Sequence, residues 1–234
     1  MGYLTEYVKS FAAIRLLLVV ALAGPAWAEK IYVFLPSMTK PNAVQSALQA
    51  KCSGSDVTVF GRLADFTAMI AQVPPDVIVA PKPLAEQFDA YKPFLRGTRK
   101  GATSEEAVLV STKPVDAAST AGLNVGVVGI LERGAMNGLV QGALGSVPKL
   151  KIVTKLEDLL PLLTFGSADA ILVGESQVDD IKGRSQAALQ TTGGSGKVPL
   201  VVAAAKGDAS KIEAFLKGLG SAEKKMLGVD GWTK

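Results

Sequence analysis

Residues 31–42, Ile-Tyr-Val-Phe-Leu-Pro-Ser-Met-Thr-Lys-Pro-Asn, contain the transition that decides the fold. The apolar run 31–35 predicts a buried strand, and the proline that follows ends it. Asn42 is a good N-cap, so a helix is predicted from about that residue. A strand, a short polar loop and a helix in this order form one β–α unit, which is the repeating element of an α/β fold.

The same unit recurs along the chain. Further strands are predicted at 57–60, 77–80, 104–113, 125–128, 152–153, 170–173 and 199–204, with helices at 63–71, 134–144, 156–165 and 210–219. Strands that are apolar on both faces and separated by helices indicate mostly parallel sheets covered on two sides. The fold class is therefore α/β.

Two breaks divide these units into two blocks. One lies near 112–116, and the other is the glycine-rich stretch 191–197, in which Thr-Thr-Gly-Gly-Ser-Gly is expected to form a flexible hinge. We expect two lobes joined by two crossover strands, with a cleft between them. Lobe 1 is predicted to contain 29–113 plus 198–234, and lobe 2 to contain 114–197.

Composition excludes several classes of function. The chain of 234 residues is 48% hydrophobic, which excludes disorder, and its single cysteine cannot form a disulfide within the chain. It has no histidine, so zinc sites of the Cys/His type and a histidine general base are excluded. The net charge of +4 is too small to indicate nucleic acid. No pattern pairs a nucleophile with a base, so we expect no enzyme, no cofactor and no metal.

The N-terminal segment 1–28 has the pattern of a secretory signal peptide. Lys9 and Arg15 precede an apolar run of about eight residues, and Ala26-Trp27-Ala28 supplies the small residues that precede a cleavage site. The alternative is an uncleaved membrane anchor, but the run is shorter than the roughly 20 residues that cross a bilayer. We therefore expect cleavage after Ala28 and export to the periplasm.

Four stretches carry a resemblance to a known family. They are AVLVSTKPVDAASTAGLNVGVV at 107–128, ERGAMNGLV at 132–140, LLTFGSADAILVGES at 162–176 and KVPLVVAAAKGDASKIEAFLKGL at 197–219. Their order resembles that of the two-lobed type II periplasmic solute-binding proteins of ABC transporters, in particular the phosphonate/phosphate-type family. The resemblance implies a monomeric protein that captures a small anionic or zwitterionic solute between its lobes. A membrane permease or a sensor protein would be its partner.

The candidate ligand residues follow the predicted strands, because ligands in open α/β sheets bind at the carboxyl ends of strands and at helix N-termini. After the first strand come Ser37, Thr39 and Lys40, and after the third comes Lys82 in a stiff loop between two prolines. Their hydroxyls and charges suit an anion. An ordinary helix cap and a solvated turn are the alternatives at these positions.

Further candidates lie in lobe 2. Arg133 can bind a carboxylate or phosphate bidentately, or it can pair with Glu132 or Glu175 at the surface. Gly134 and Asn137 belong to the stretch that resembles the family's ligand loop. Glu175 could accept a hydrogen bond from a ligand amine, and Ser176 could bind ligand or cap a helix.

That loop, 129–137, lacks the hydroxyl residues that the family usually has there. The alternative function is therefore an accessory or interaction module that keeps the fold without capturing a solute. A cleft filled by Met38, Leu131 and Met136 would favour it.

Overall fold

The computed structural model describes residues 28–234, and for 117 and 118 only the backbone. The predicted signal peptide lies outside the described residues except for Ala28. Within 28–234, no helix combines the length and the apolar character needed to cross a membrane.

Lobe 1 is built on a six-stranded sheet. Its strands are β1 (Glu29–Phe34), β2 (Ser55–Phe60), β3 (Val77–Pro81), β4 (Lys92–Thr98), β10 (Val201–Ala205) and β11 (Gly231–Thr233), and its helices are α1 (Pro41–Gln49), α2 (Leu63–Gln72), α3 (Lys82–Ala85), α7 (Ser210–Gly218) and α8 (Ser221–Met226). The strands lie in the order β11–β4–β10–β3–β1–β2. Strands β1 to β4 point in one direction, because β10 is antiparallel to both β3 and β4.

Lobe 2 is built on a five-stranded sheet. Its strands are β5 (Ser104–Ser111), β6 (Asn124–Val128), β7 (Lys149–Val153), β8 (Ala170–Gly174) and β9 (Gln190–Pro199), and its helices are α4 (Arg133–Leu144), α5 (Leu159–Thr164) and α6 (Val178–Arg184). The order across the sheet is β7–β6–β8–β5–β9. Only β5 runs against the other four strands.

The chain crosses between the sheets at a different place from the one expected. The sequence placed 104–113 in lobe 1 and the first break near 112–116, whereas β5 pairs with β8 and β9 and therefore belongs to lobe 2. The first crossing lies between the end of β4 and the start of β5, and the second lies at Leu200, between β9 and β10. Strand β10 then returns the C-terminal part of the chain to lobe 1.

The glycine-rich stretch was predicted to be a flexible hinge, and this prediction is wrong. It forms most of β9, which pairs with β5 at 190–193 and again at 197–199, with an irregularity in the pairing at 194–196. A Cβ at Gly194 would lie 2.7 Å from the carbonyl oxygen of Ala143 on α4 and 3.0 Å from Cβ of Ala107 on β5. A Cβ at Gly196 would overlap the carbonyl oxygen of Gly142. The glycines therefore allow α4 to pack directly on the backbone of β9.

Each sheet buries apolar side chains on both faces. In lobe 1 the fully buried side chains include Phe34, Phe66 and Ile78, and in lobe 2 they include Leu109 and Ile171. This explains why the strands have continuous apolar runs rather than an alternating pattern. The packed sheets hold the strand ends in place, and the functional site is found at those ends.

Candidate ligand-binding site between the lobes

The boundary between the lobes contains two cavities. The larger, of about 520 Å³, is lined by both lobes and both crossings, and we call it the inner chamber. The second, of about 480 Å³, lies beside it where α1, α2 and the loop after β7 meet, and we call it the outer chamber. Both volumes lie within the range of small-molecule sites, which is roughly 300–1,000 Å³.

Apolar side chains of lobe 2 form much of the inner chamber. They come from β6, α4 and β8 and include Val127, Met136, Leu139, Val140 and Leu172. The spacing of Met136, Leu139 and Val140 puts them on one side of α4, and Met136 and Val140 are almost completely buried. This wall suits the apolar part of a ligand better than a highly charged group.

Glu105 is the buried acid of the inner chamber. Its side chain is 8% exposed, and its two carboxylate oxygens accept hydrogen bonds from Ser176, one from the backbone N–H at 2.7 Å and one from the hydroxyl at 2.9 Å. Gly174 leaves room for it, because a Cβ there would overlap the carboxylate. Burial raises the pKa of Glu105 above its ordinary value, while the bonds from Ser176 and the charge of Arg99 oppose the rise.

Arg99 is the cation beside Glu105 in the inner chamber, whose wall also includes Lys225 and Asp180. Its Nε lies 3.8 Å from a carboxylate oxygen of Glu105, which brings opposite charges together but is too long for a hydrogen bond. This buried Nε–H has no hydrogen-bond partner among the described residues. A buried donor without an acceptor is costly. Arg99 therefore offers a donor to any acceptor that enters the chamber.

The first crossing holds Arg99 in position. Arg99 and Ala102 form a bridge around Lys100 and Gly101, whose φ angles of 51° and 78° are both positive. Glycine adopts such angles without strain, and two of them in succession form the tight turn of a β-hairpin. The Lys100 ammonium also lies 3.0 Å from a carboxylate oxygen of Glu175 in lobe 2.

Four predicted site residues line one or both chambers. Ser37 and Thr39 line both, Ser176 lines the inner chamber and Lys40 lines the outer one. The Ser37 hydroxyl accepts a hydrogen bond from the backbone N–H of Thr39, so it also shapes the loop. Ser176 donates its hydroxyl to Glu105 instead of capping a helix.

The other five candidates are not among the residues that line either chamber. Lys82 forms an exposed ion pair with Glu86, at 3.8 Å, and Glu175 pairs with Lys100. Arg133, Gly134 and Asn137 are exposed on the first turn and a half of α4. Arg133 forms no ion pair within residues 28–234, so the alternative to ligand binding, a pairing with Glu132 or Glu175, is not seen, and Glu175 pairs with Lys100 instead. These residues are turned away from the chamber because α4 presents Met136 to it.

Sequence reasoning missed Arg99 and Glu105. Both precede the apolar part of β5, which the sequence assigned to lobe 1, so the sequence placed neither of them at the cleft. A signal was present, since a buried strand with glutamates at its second and third positions places one of them toward the protein interior. The residue Glu105 is buried, whereas its neighbour Glu106 pairs with Lys197 at the surface.

Comparison with known proteins identifies the fold. No family model matches the sequence, and no curated protein matches it. Among solved structures, XAC2383 from Xanthomonas citri bound to chloride has a TM-score of 0.62 at 11% identity, covering 88% of this chain and 91% of that one. The GluR0 ligand-binding core in complex with L-glutamate has a TM-score of 0.58 at 13% identity, covering 88% and 98%.

The periplasmic domain of Bordetella pertussis BvgS has a TM-score of 0.57 at 17% identity, and it covers 91% of this chain. The chain spans 45% of the length of that domain. Identities this low establish the fold alone. The chain has the two-lobed α/β fold of periplasmic binding proteins, so the predicted fold class is confirmed. The narrower resemblance to the phosphonate/phosphate-type family is not confirmed.

Proposed function

We propose that this protein captures one small zwitterionic molecule with an apolar body in the inner chamber. One observation carries the proposal: a buried carboxylate, Glu105, and a guanidinium with an unpaired buried N–H, Arg99, lie side by side in an otherwise largely apolar cavity. A ligand carboxylate would accept from Arg99, and a ligand ammonium would donate to Glu105. Each is a charge-assisted hydrogen bond, the stronger kind in proteins.

A phosphonate or phosphate ligand, which the sequence suggested, has less support. Such a ligand carries up to two negative charges and would face the Glu105 carboxylate with Arg99 as the nearby cation. Like charges in a partly desolvated chamber repel strongly. Lys82 and Arg133, which were expected to supply further positive charge, lie outside the chamber. A zwitterion matches the adjacent charges of Arg99 and Glu105, and the other charged lining residues, Lys225 and Asp180, add one charge of each sign.

Capture would act through the relative position of the lobes. Arg99 belongs to a crossing, Glu105 and Ser176 to lobe 2, and Ser37 and Thr39 to lobe 1. A ligand that touches all of them binds better when the lobes are together, and it shifts the population toward that arrangement. We propose that the protein is exported to the periplasm and that a permease or a sensor protein binds the arrangement with the lobes together. The glutamate-bound GluR0 core and the BvgS domain support binding rather than catalysis.

Matched ligands test the proposal by calorimetry and thermal shift on the exported protein. L-Leucine carries both charges, 3-methylbutylamine lacks the carboxylate, and 4-methylpentanoate lacks the amine. We expect L-leucine or a larger apolar amino acid to bind, and each truncated compound to bind about 10- to 100-fold more weakly, the value of one charge-assisted hydrogen bond. Methylphosphonate is expected to give no shift.

Two variants and a control test which side chain binds the ligand carboxylate and which binds the ligand amine. Arg99→Gln should abolish the advantage of the ligand carboxylate, and Glu105→Gln should abolish that of the ligand amine. Lys82→Gln should change neither, because Lys82 is exposed and pairs with Glu86. Absence of binding by every zwitterion, or equal losses in all three variants, would contradict the proposal.

A second candidate is the accessory module without solute capture. It is favoured by the burial of Met38, Leu131 and Met136, which are 4%, 8% and 2% exposed. Two hydrogen bonds that join the lobes directly, from Gln177 to the carbonyl oxygen of Pro36 and from Arg184 to that of Met38, also favour it. The discriminating result is a stable complex with a membrane protein that no zwitterion strengthens or weakens.

A further inference from the structure

Met38 is a lobe 1 residue whose side chain lies in lobe 2. It follows β1 in the chain, it is 4% exposed, and it belongs to a buried apolar cluster whose other members all come from lobe 2. Those members include Val108, Leu156 and Ile181. A methionine side chain is flexible enough to fill a gap in such a cluster. When the lobes separate, the Met38 side chain must leave this lobe 2 cluster.

Hydrogen bonds from lobe 2 hold the backbone beside Met38. The side-chain amide of Gln177 donates to the carbonyl oxygen of Pro36 at 3.0 Å, and the Arg184 guanidinium donates to the carbonyl oxygen of Met38 at 2.8 Å. Both donors come from the segment that follows β8. The loop after β1 is therefore joined to lobe 2 by two polar contacts and one apolar contact.

The same loop separates the two chambers. Ser37, Met38 and Thr39 line both, with the largely apolar inner chamber on one side and the outer chamber on the other. The outer chamber is charged. Arg62 and Asp65 from lobe 1 form one ion pair in its wall at 2.8 Å, and Lys155 and Glu157 from lobe 2 form another at 3.3 Å. Lys40 from lobe 1 also lines it and forms no ion pair among residues 28–234. Met38 is therefore part of the wall that the two chambers share.

We infer that Met38 is a plug that holds the lobes together by direct contact and limits the length of the ligand in the inner chamber. The limit that Met38 sets on ligand length rests on the proposed function, whereas the effect of Met38 on closure of the two lobes does not. Two consequences follow. Truncating Met38 favours separation of the lobes, and it opens a path from the inner chamber to the cations of the outer one.

Hydrogen–deuterium exchange of the full protein without added ligand tests the closure. In Met38→Ala, we expect exchange of the backbone amides at 177–184 to be about 30-fold faster, which corresponds to the lower end, roughly 2 kcal/mol, for truncating a buried methionine. Met226→Ala is the matched control, because Met226 also lines the inner chamber but packs in a cluster of lobe 1 residues. It should leave exchange at 177–184 unchanged.

Two further variants keep the test decisive if Met38→Ala folds poorly. Met38→Leu conserves the volume and should exchange like the wild type, while Arg184→Ala removes one bond to the loop and should speed exchange at 177–184. Exchange of the backbone amides of β6 serves as an internal reference, because it should stay slow as long as lobe 2 remains folded. If Met38→Ala exchanges like Met226→Ala, or if Arg184→Ala exchanges like the wild type, the plug is refuted.

Calorimetry with two amino acids tests the limit on length. L-Leucine should bind the wild type. 2-Aminosuberate, whose distal carboxylate would extend toward the outer chamber and its lysine Lys40, should bind Met38→Ala at least about tenfold more tightly than the wild type. If leucine binds and 2-aminosuberate has equal affinity for both proteins, the limit on length is refuted while the proposed function stands. If neither compound binds either protein, the proposed function fails and exchange alone decides the role in closure.

Discussion

Replacing Gly194 by alanine tests whether the glycine-rich strand is a packing surface or a hinge. Its Cβ would lie 2.7 Å from the carbonyl oxygen of Ala143 on α4 and 3.0 Å from Cβ of Ala107 on β5. An ordinary van der Waals contact begins at 3.4 Å. To accept the new methyl group, α4 would have to move away from it by about 0.7 Å and β5 by about 0.4 Å. The methyl group is enclosed from two sides, and moving away from one neighbour brings it closer to the other.

Overpacking of this kind costs about 1–3 kcal/mol, so we expect Gly194→Ala to lower the free energy of unfolding by about 2 kcal/mol. The matched control is Gly193→Ala on the same strand, where a Cβ meets nothing within 4 Å. It should be neutral or stabilising by up to about 0.5 kcal/mol, because alanine loses less backbone entropy than glycine.

Urea denaturation gives both values, and thermal unfolding should show the Gly194 variant melting about 4–8 °C lower. If the two variants agree within about 0.5 kcal/mol, α4 does not pack on β9 as the structure shows. The stretch would then behave as the flexible link that its composition suggested.

Two further predictions concern buried ionisable groups. Because burial raises the pKa of Glu105, its contribution to stability is largest below the unfolded pKa and is lost as the pH rises through the folded pKa. Urea titrations from about pH 4 to about pH 7 should therefore show the wild type losing stability relative to Glu105→Gln, and a constant difference would contradict this assignment. Tyr91→Phe should cost about 1–2 kcal/mol, since its hydroxyl donates to the carbonyl oxygen of Pro75 at 3.0 Å. The pKa of Tyr91 is about 12, so that cost should be the same throughout the neutral range, and a marked change with pH would count against the bond.

The sequence predicted the β–α units well because their signal is local. Strands β1, β3, β6 and β8 are short apolar runs followed by polar loops, and each lies within one or two residues of its expected place. Strand β4 was missed because its burial alternates and it begins with a lysine and a proline. Strand β9 was missed because its glycines are needed to let α4 pack closely against it, and α4 is distant from β9 in the sequence.

The site was predicted only in outline, for a related reason. Strand ends mark where a cleft forms, but they do not specify which side chains face it. Lys82 begins the short helix α3 and reaches Glu86 one turn later, so its charge is used locally. Glu105 was overlooked because assigning β5 to the wrong lobe put the residue far from Ser176, its actual partner.

These two errors together change where movement between the lobes can occur. A flexible 191–197 would have allowed lobe 2 to bend inside itself, whereas β9 is clamped between β5 and α4. Rotation must then be confined to the crossings at 99–103 and at Leu200. Those crossings are also joined to each other, because the N–H of Leu200 donates to the carbonyl oxygen of Thr103 at 3.1 Å. Since Arg99 lies in one crossing and Glu105 is the second residue of β5, the strand that follows it, a ligand bound between these two residues would restrain the crossing itself. Ligand recognition and lobe movement would therefore be coupled over seven residues of the chain, from Arg99 to Glu105.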